Sequence, residues 1–481
     1  MLRGPTFTRP FPRHGPPSAR ARGGAAAARR APVVTALAAI ALLLGAAGAA
    51  AAPVERSWYW PAPWAPAVSG PTVCAGLARG LDGRAYVVSG WWADGVERYH
   101  LACVTPDGVT AWEVQEAGPG DAGVWPAAAA SDRSGAVLVA GRYSGSSEDG
   151  YVRKVDAAGR FRWYRTWDSG RSDEFVAVAC DPDGNVYAAG STEANAGDLV
   201  LVKYSRGGRR LWTRRYSTAR EDNAVAVASD GRGNVYVAGT VAAEKGGESR
   251  LLVASYAPDG SRRWARQVGG VGMAYTAVGL AVRGSNVYAL GQAWLESGVR
   301  PILAKYTLAG RRVWAHGYWP TLSQVTAGPV VAADGSIGLA GDAWEAVVPP
   351  TFIGTAAVVV VAPDGNPWTS ASDTEWSGRG LPEAWPASAR ALAAGPDGRW
   401  YVAGAEALDA EGRENDGAVF GWPSPGSGDW EPDMVWRLHG THGDSACTTL
   451  LRMGGAMWVG GQLSEGTTSH TAVQRIELQV P

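Results

Sequence analysis

A short apolar strand ending in glycine returns eight times along this chain, and that recurrence constrains the fold more than any other feature. The copies occupy residues 86–90, 137–141, 186–190, 235–239, 287–291, 337–341, 401–404 and 457–461. Their closing glycines lie 51, 49, 49, 52, 50, 63 and 57 residues apart. A period of this length marks stacked supersecondary units rather than several unrelated domains.

Residues 223–268 show one whole unit. Strand-like runs occupy 223–230, 234–239, 251–256 and 262–268, and turns rich in glycine fall at 231–233 and 258–260. The 65 glycines and 30 prolines of the 481 residues suit such turns. Four antiparallel strands per roughly 50 residues make one propeller blade. The expected fold is therefore all-β, a β-propeller of eight four-stranded blades. Alanine-rich first strands (127–130, 177–179, 224–228, 391–394) suit the crowded axis.

The expected fourth strands carry a tryptophan soon after a turn: Trp112, Trp163, Trp212, Trp264, Trp314, Trp368 and Trp436. Each is expected to pack between neighbouring blades, which accounts for much of the excess of 23 Trp over six Phe. The eighth copy lacks such a strand. Residues 472–480 form a last apolar run, and the missing piece precedes the first blade, at 55–58 with Trp58. An N-terminal strand completing the C-terminal blade is the closure this predicts, and it removes an exposed edge.

Two segments are expected, 1–52 and a single propeller domain, 53–481. The first holds seven Arg and no acidic residue. Arg29 and Arg30 precede an apolar run over 33–44, followed by small residues to Ala52. That pattern reads as an export signal cut after Ala49, with an uncleaved anchor as the alternative and the only membrane contact expected. Export implies a secreted, periplasmic or cell-surface protein. The remainder carries 37 basic and 45 acidic side chains. Such a mildly acidic body without basic runs argues against nucleic acid as a partner. The four cysteines, Cys74, Cys103, Cys180 and Cys447, form no CxxC pair, so no metal or thiol-redox chemistry is expected. Cys74 and Cys447 begin first strands that closure makes neighbours, but equal heights on separate blades are usually too far apart for a disulfide.

The stretch 211–270 resembles the repeat of the bacterial seven-bladed-propeller family. The resemblance rests on Leu211-Trp212, Asp222, the run 225–230 ending in Asp230, the GNVYVAGT segment 233–240 and Ser255-Tyr256. It implies an exported, surface-associated propeller and specifies no activity; the blade count read here is eight. Residues 156–163 (DAAGRFRW) are similar to the tryptophan-docking repeat of pyrroloquinoline-quinone-type propellers. The quinone dehydrogenases of that group carry adjacent cysteines, which this chain lacks, so no cofactor is expected.

Alternating strand order places the longer, variable loops on one face, where binding residues usually gather. That face is rich in tryptophan, and Trp91, Trp92, Trp125, Trp294, Trp319, Trp344 and Trp385 are the candidate binding residues. They would stack on sugar rings or peptide side chains, or else cap the core between blades. Asp173, Asp222 and Asp444 each lie 17 residues before a repeat glycine, and Asp121 lies 20 before its own. Repetition at equivalent positions points to a structural acceptor of loop N–H groups rather than to a catalytic carboxylate. Asp181-Pro182-Asp183-Gly184-Asn185 lacks calcium-loop spacing and reads as a β-turn. His439 and His442 share a loop with Asp444 but no third ligand is in view. No catalytic or metal residue is assigned. The expected function is a non-enzymatic exported binding protein for a glycan, peptide or envelope protein. The alternatives are a scaffold of an envelope assembly or a carbohydrate-active hydrolase or lyase.

Overall fold

The computed structural model describes residues 59–478 apart from 62–72, 94, 117–121, 146, 194–196, 219–220, 243–247, 271, 297, 319–323, 349–350, 367–386, 408–414, 423–433, 439–445 and 466–467. All lie in one compact unit, Ala52–Pro481. The expected segment 1–52 falls outside them, as does Trp58.

The described residues form eight antiparallel sheets arranged as a β-propeller. Blades 1 to 8 span 73–116, 123–167, 173–216, 222–268, 275–317, 324–361, 387–438 and 446–477. Each is a simple meander, as in blade 3, where β10 (Asp173–Cys180), β11 (Val186–Thr192), β12 (Asp198–Tyr204) and β13 (Arg210–Tyr216) pair in sequence order. Blade 6 shows three strands, and the stretch where its fourth would follow, 367–386, is outside the described residues. Blade 8 takes its outer strand from the other end of the chain. There β1 (Tyr59–Pro61) pairs antiparallel with β31 (Thr468–Glu477), matching Tyr59 with Gln474 and Pro61 with Ala472. The expected closure is therefore present, carried by the residues just after Trp58.

Eight apolar clusters fill the eight seams. The seam between blades 2 and 3 packs Leu138, Val152 and Trp163 against Phe175, Val186 and Val202. The closing seam packs Val87 and Val104 of blade 1 against Met453, Trp458 and Val473 of blade 8. Each seam buries one face of a sheet, so no blade has a core of its own and ring closure is what buries the last one.

The repeated glycine has a steric cause. First strands bulge opposite it, as between Phe175 and Ala177 or Ala224 and Ala226. The bulge pushes a carbonyl at the second strand: a Cβ on Gly190 would lie 1.8 Å from Glu174 O, and one on Gly239 2.1 Å from Asn223 O. No side chain fits there, so the glycine returns at that place; in blade 1 the bulge lies opposite Ser89 instead, and a Cβ on Gly90 would lie 2.9 Å from Pro126 Cδ of blade 2.

The tryptophans seal the seams from outside. Trp163, Trp212 and Trp264 are buried, and each donates its indole Nε1–H to a carbonyl in the next blade's last turn: Arg206 O, Pro258 O and Leu308 O, each at 3.0 Å. Trp112 reaches Ala157 O at 2.9 Å in the same way. The ring lies flat on a turn glycine of positive φ. A Cβ on Gly208 or Gly260 would come within 2.7–2.9 Å of it. Two residues later an arginine completes the contact: Arg165 and Arg266 donate Nε–H to Gly208 O at 2.6 Å and Gly310 O at 2.9 Å. At the fifth seam His316 replaces that arginine, and Tyr318 donates to Gly365 O at 2.9 Å instead. Trp368 lies outside the described residues.

Candidate functional site

The variable face carries the 2–3 hairpins and the loops between blades. On it, β3 (Ala85–Ala93) ends with Trp91 and Trp92 and is paired with β4 (Val96–Val104). The two tryptophans are adjacent, so they point to opposite sides of the sheet. Trp91 is 5% exposed and belongs to the core; Trp92 is 43% exposed. Across the seam, β6 (Gly123–Ser131) brings up Trp125, half-buried, with its ring centroid 6.4 Å from that of Trp92 and tilted by 41°. The approach is close because Gly90 offers no side chain: a Cβ there would sit 3.3 Å from the Trp125 ring.

An ion pair lies beside this aromatic pair. Glu97 is the cross-strand partner of Trp92, and Arg142, on β7 (Val137–Ser144), is the cross-strand partner of Trp125. Directly opposed residues project on the same side of a sheet. The Arg142 guanidinium donates to Glu97 Oε1 at 2.5 Å, and Ser144 Oγ donates to Glu97 Oε2 at 2.8 Å. Arg142 also reaches Glu148 at 3.4 Å. The Glu97 side chain is 5% exposed and that of Arg142 29%, so the arginine is the half of the pair that faces solvent. Two indoles, one guanidinium and a buried carboxylate that holds it form an amphipathic shelf. It can stack an apolar ring face and hydrogen-bond the ring's polar rim.

The other candidates scatter. Trp294, near the end of β19 (Asn286–Leu295), is 47% exposed and donates Nε1–H to Thr276 Oγ1 at 3.3 Å. Exposed Met273 lies in the loop that leads into the blade's first strand, Tyr275–Arg283, and Ala274 O of that loop accepts the Trp294 backbone N–H at 2.9 Å. Trp344 sits on β23 (Ile337–Val348), opposite Gly354 in the register, and its side chain is outside the described residues, as are Trp319 and Trp385 altogether. Of the seven tryptophans, only Trp92 and Trp125 are brought into contact among the described residues. Glu97 and Arg142 escaped sequence reasoning. The signal for them was strand register, which matches each to a tryptophan but shows only once the hairpins are paired.

The recurrent aspartates are structural where they are described. Asp173 accepts hydrogen bonds from Ser169 N at 2.6 Å and Ser169 Oγ at 2.8 Å. Asp222 repeats this with Thr218 Oγ1 at 2.9 Å and takes Ala242 N at 3.1 Å. Burial pushes the Asp222 carboxyl up, against the hydrogen bonds from Thr218 and Ala242 that pull it down. The 181–185 loop is a turn: Asp181 Oδ1 accepts from Asp183 N at 3.1 Å and Asn185 N at 2.9 Å, and Gly184 has φ of +80°. Asp121, His439, His442 and Asp444 lie outside the described residues. Asp149, Asp168 and Asp173 bring their carboxylate oxygens within 4.8 Å of one another, a spacing a divalent cation can bridge. Cys74 and Cys447 are both free thiols.

No protein-family model matches the chain, and no curated protein matches it. Among solved structures it is similar to Sqt1 from Chaetomium thermophilum, at 10% identity over 88% of this chain and 98% of that one, with a TM-score of 0.50. It is also similar to the β-propeller domain of the Trilobed protease from Pyrococcus furiosus (6% identity, 74% and 98% covered, TM-score 0.42) and to polysaccharide lyase Uly1 (10%, 89% and 100%, 0.45). At these identities the likeness is one of fold alone.

Proposed function

We propose that this chain is an exported, non-enzymatic β-propeller that binds a glycan on its variable face, with Trp92 and Trp125 as the stacking surface and Arg142 as the polar anchor. The observation that carries this reading is the exposed Trp92 standing over Trp125 beside the Glu97–Arg142 pair. A sugar ring presents an apolar face and a hydroxyl rim, and this shelf supplies a partner for each. The buried Glu97 fixes the guanidinium, so little side-chain entropy is lost on binding.

Hydrolase or lyase chemistry would use an asymmetric carboxylate pair in the central funnel, one member held protonated. Three carboxyls among the described residues are raised. Asp149 is pushed up chiefly by burial and also by the charges of Asp168 and Asp173, against a hydrogen bond from Ser147 Oγ at 2.8 Å. Asp222 accepts hydrogen bonds at the start of its blade, and Asp342 accepts Ala389 N of the next blade at 2.7 Å.

A glycan array probed with the purified mature chain, followed by calorimetry on the best hit, tests the reading. Binding should fall roughly five- to thirtyfold in Trp92→Ala, which removes a stacking contact of about 1–2 kcal/mol, and similarly in Arg142→Gln. If no glycan on the array binds and cross-linking in the envelope captures a protein neighbour, the chain is a scaffold and the shelf is not a sugar site.

A further inference from the structure

The outer edge of the ring is charged in one direction. The last turn and outer strand of blades 2 to 5 cover 156–167, 205–216, 257–268 and 307–317, and they hold three, five, three and two arginines in turn. The only acidic residues in these four segments are Asp156 and Asp259. The matching segment of blade 1, 105–116, holds three acidic residues and no basic one. The arginines thus form a belt along four neighbouring blades of a body that is acidic as a whole.

Part of the belt is structural. Arg165 and Arg266 clasp turn glycines at the seams, Arg214 lies over the Trp212 ring at 5.4 Å, and Arg160 and Arg162 each pair with Asp156 at 2.9 Å. Arg263 donates to Tyr236 OH at 3.2 Å, and Arg215 lies over the Trp167 ring at 5.4 Å. The other six are unclaimed. Arg206, Arg209, Arg210, Arg262, Arg311 and Arg312 are exposed, and their guanidinium groups have no hydrogen-bond or ion-pair partner among the described residues. Three of them hold one equivalent position: Arg210, Arg262 and Arg312 each stand two residues before a seam tryptophan and pair in the register with Tyr204, Tyr256 and Tyr306. Charged side chains on edge strands do guard against edge-to-edge pairing. Either sign serves that purpose, so protection alone does not account for the exclusion of acidic residues from four successive edges.

We infer that this belt is a second binding surface, separate from the tryptophan shelf, that docks a flexible anionic polysaccharide bearing uronate groups. The rim of a ring is convex, so a planar surface touches it only locally, whereas a flexible chain can follow it from blade to blade. Repeated arginines at the same position in blades 3, 4 and 5 present cationic groups at the period of the blades, and carboxylates are their natural partners. Exposed Leu211 and Val313 share the next position along the strand and offer aliphatic contact to sugar rings. Single-stranded nucleic acid needs aromatic platforms for its bases. The two exposed aromatics of the belt, Phe161 and Tyr164, are both in blade 2, and each already has a ring contact, with Arg153 at 4.9 Å and with Tyr151 at 6.3 Å, so no row of platforms runs along the belt.

The test is titration of the mature chain with polygalacturonate fragments, against neutral pullulan and oligo(dT), at low and physiological salt. Polygalacturonate should bind, pullulan should not, and affinity should fall steeply as salt rises. The triple variant Arg210→Gln/Arg262→Gln/Arg312→Gln should lose roughly tenfold or more in affinity and flatten the salt dependence, because each exposed charge contact contributes a fraction of a kcal/mol to about 1. These side chains take no part in the seams, so its melting temperature should match the parent. Trp92→Ala should bind polygalacturonate as the parent does, which separates this surface from the shelf. Absence of polygalacturonate binding at low salt, an unchanged affinity in the triple variant, or tighter binding of oligo(dT) would each overturn the inference.

Discussion

Replacing Gly260 by alanine tests whether the seams are held as described. Gly260 has φ of +84°, a region that costs an L-residue roughly 1–2 kcal/mol. Its new methyl would lie 2.9 Å from two atoms of the Trp212 ring and 2.7 Å from the end of Arg214. The arginine can swing away. The ring cannot, because it is buried with Tyr187 and Tyr256 near by and its Nε1–H is committed to Pro258 O. Overpacking of that kind adds about 1–3 kcal/mol, so Gly260→Ala should cost about 2–5 kcal/mol in all. Trp212→Ala should cost about 3–5 kcal/mol by itself. In the double variant the ring is gone and only the backbone strain of about 1–2 kcal/mol remains from the alanine, so the two changes should fall short of additivity by about 1–3 kcal/mol. Guanidinium unfolding followed by far-ultraviolet circular dichroism, on the four proteins of the cycle, measures this. Strict additivity would refute the claim that ring and glycine are in contact, and a neutral Gly260→Ala would refute the docking geometry itself.

The same seams differ in one hydrogen bond. Trp212 donates Nε1–H to Pro258 O, whereas the buried Nε1 of Trp314 has no hydrogen-bond partner among the described residues, so Trp212→Phe should cost about 1 kcal/mol more than Trp314→Phe in the same unfolding assay. Acid sensitivity should trace to Asp132. Burial raises its carboxyl, but the Lys154 ammonium 2.7 Å away and hydrogen bonds from Ser134 and Ala136 outweigh that and hold it below the ordinary carboxylate range. A depressed folded value means this stabilisation is complete above the unfolded pKa of about 3.9 and disappears as pH falls through the lower folded value. Asp132→Asn should therefore be less stable at neutral pH and show a shallower loss below about pH 4 in an acid-unfolding series; an unchanged profile would count against the pair.

Most of the fold was legible because its devices are local and repeated. The glycine that ends the second strand, the tryptophan after the last turn and the turn aspartates each recur with the blade, although the tryptophan makes its contacts on the next blade. Closure was legible because one strand was missing from the C-terminal unit and one was spare at the N-terminal side. The candidate site was less so. Trp91 and Trp92 are indistinguishable as neighbours in sequence, yet strand alternation lets only one of the two face solvent, and Trp91 at 5% exposed is the one turned inward. The pairing of Trp92 with Trp125 depends on how two blades meet, which no local pattern encodes. The arginine two residues after the seam tryptophan was visible in Trp163-Tyr164-Arg165 and Trp264-Ala265-Arg266 but carried no meaning until the next blade's glycine carbonyl stood opposite it. The arginine belt was hidden by averaging: a balance of 37 basic to 45 acidic residues conceals where each sign sits.

A ring of near-identical blades separates structure from function by symmetry. Whatever the fold requires must return at equivalent places, as the bulge glycines, the docked tryptophans and the bonded Asp173 and Asp222 do. Whatever appears in one blade or in a run of neighbours is not required by the fold. The contact of exposed Trp92 with half-buried Trp125 occurs at one seam only among the described residues, and Arg142 fills a register position held by Ser191 in blade 3 and Thr240 in blade 4. The unpaired arginines occupy blades 3 to 5 and give way to acidic residues on blade 1. These departures cost the ring nothing in closure, because the seam tryptophans and glycines beneath them are unchanged. Selection for stability alone gives no reason for them, and the two binding surfaces argued above are made of these departures.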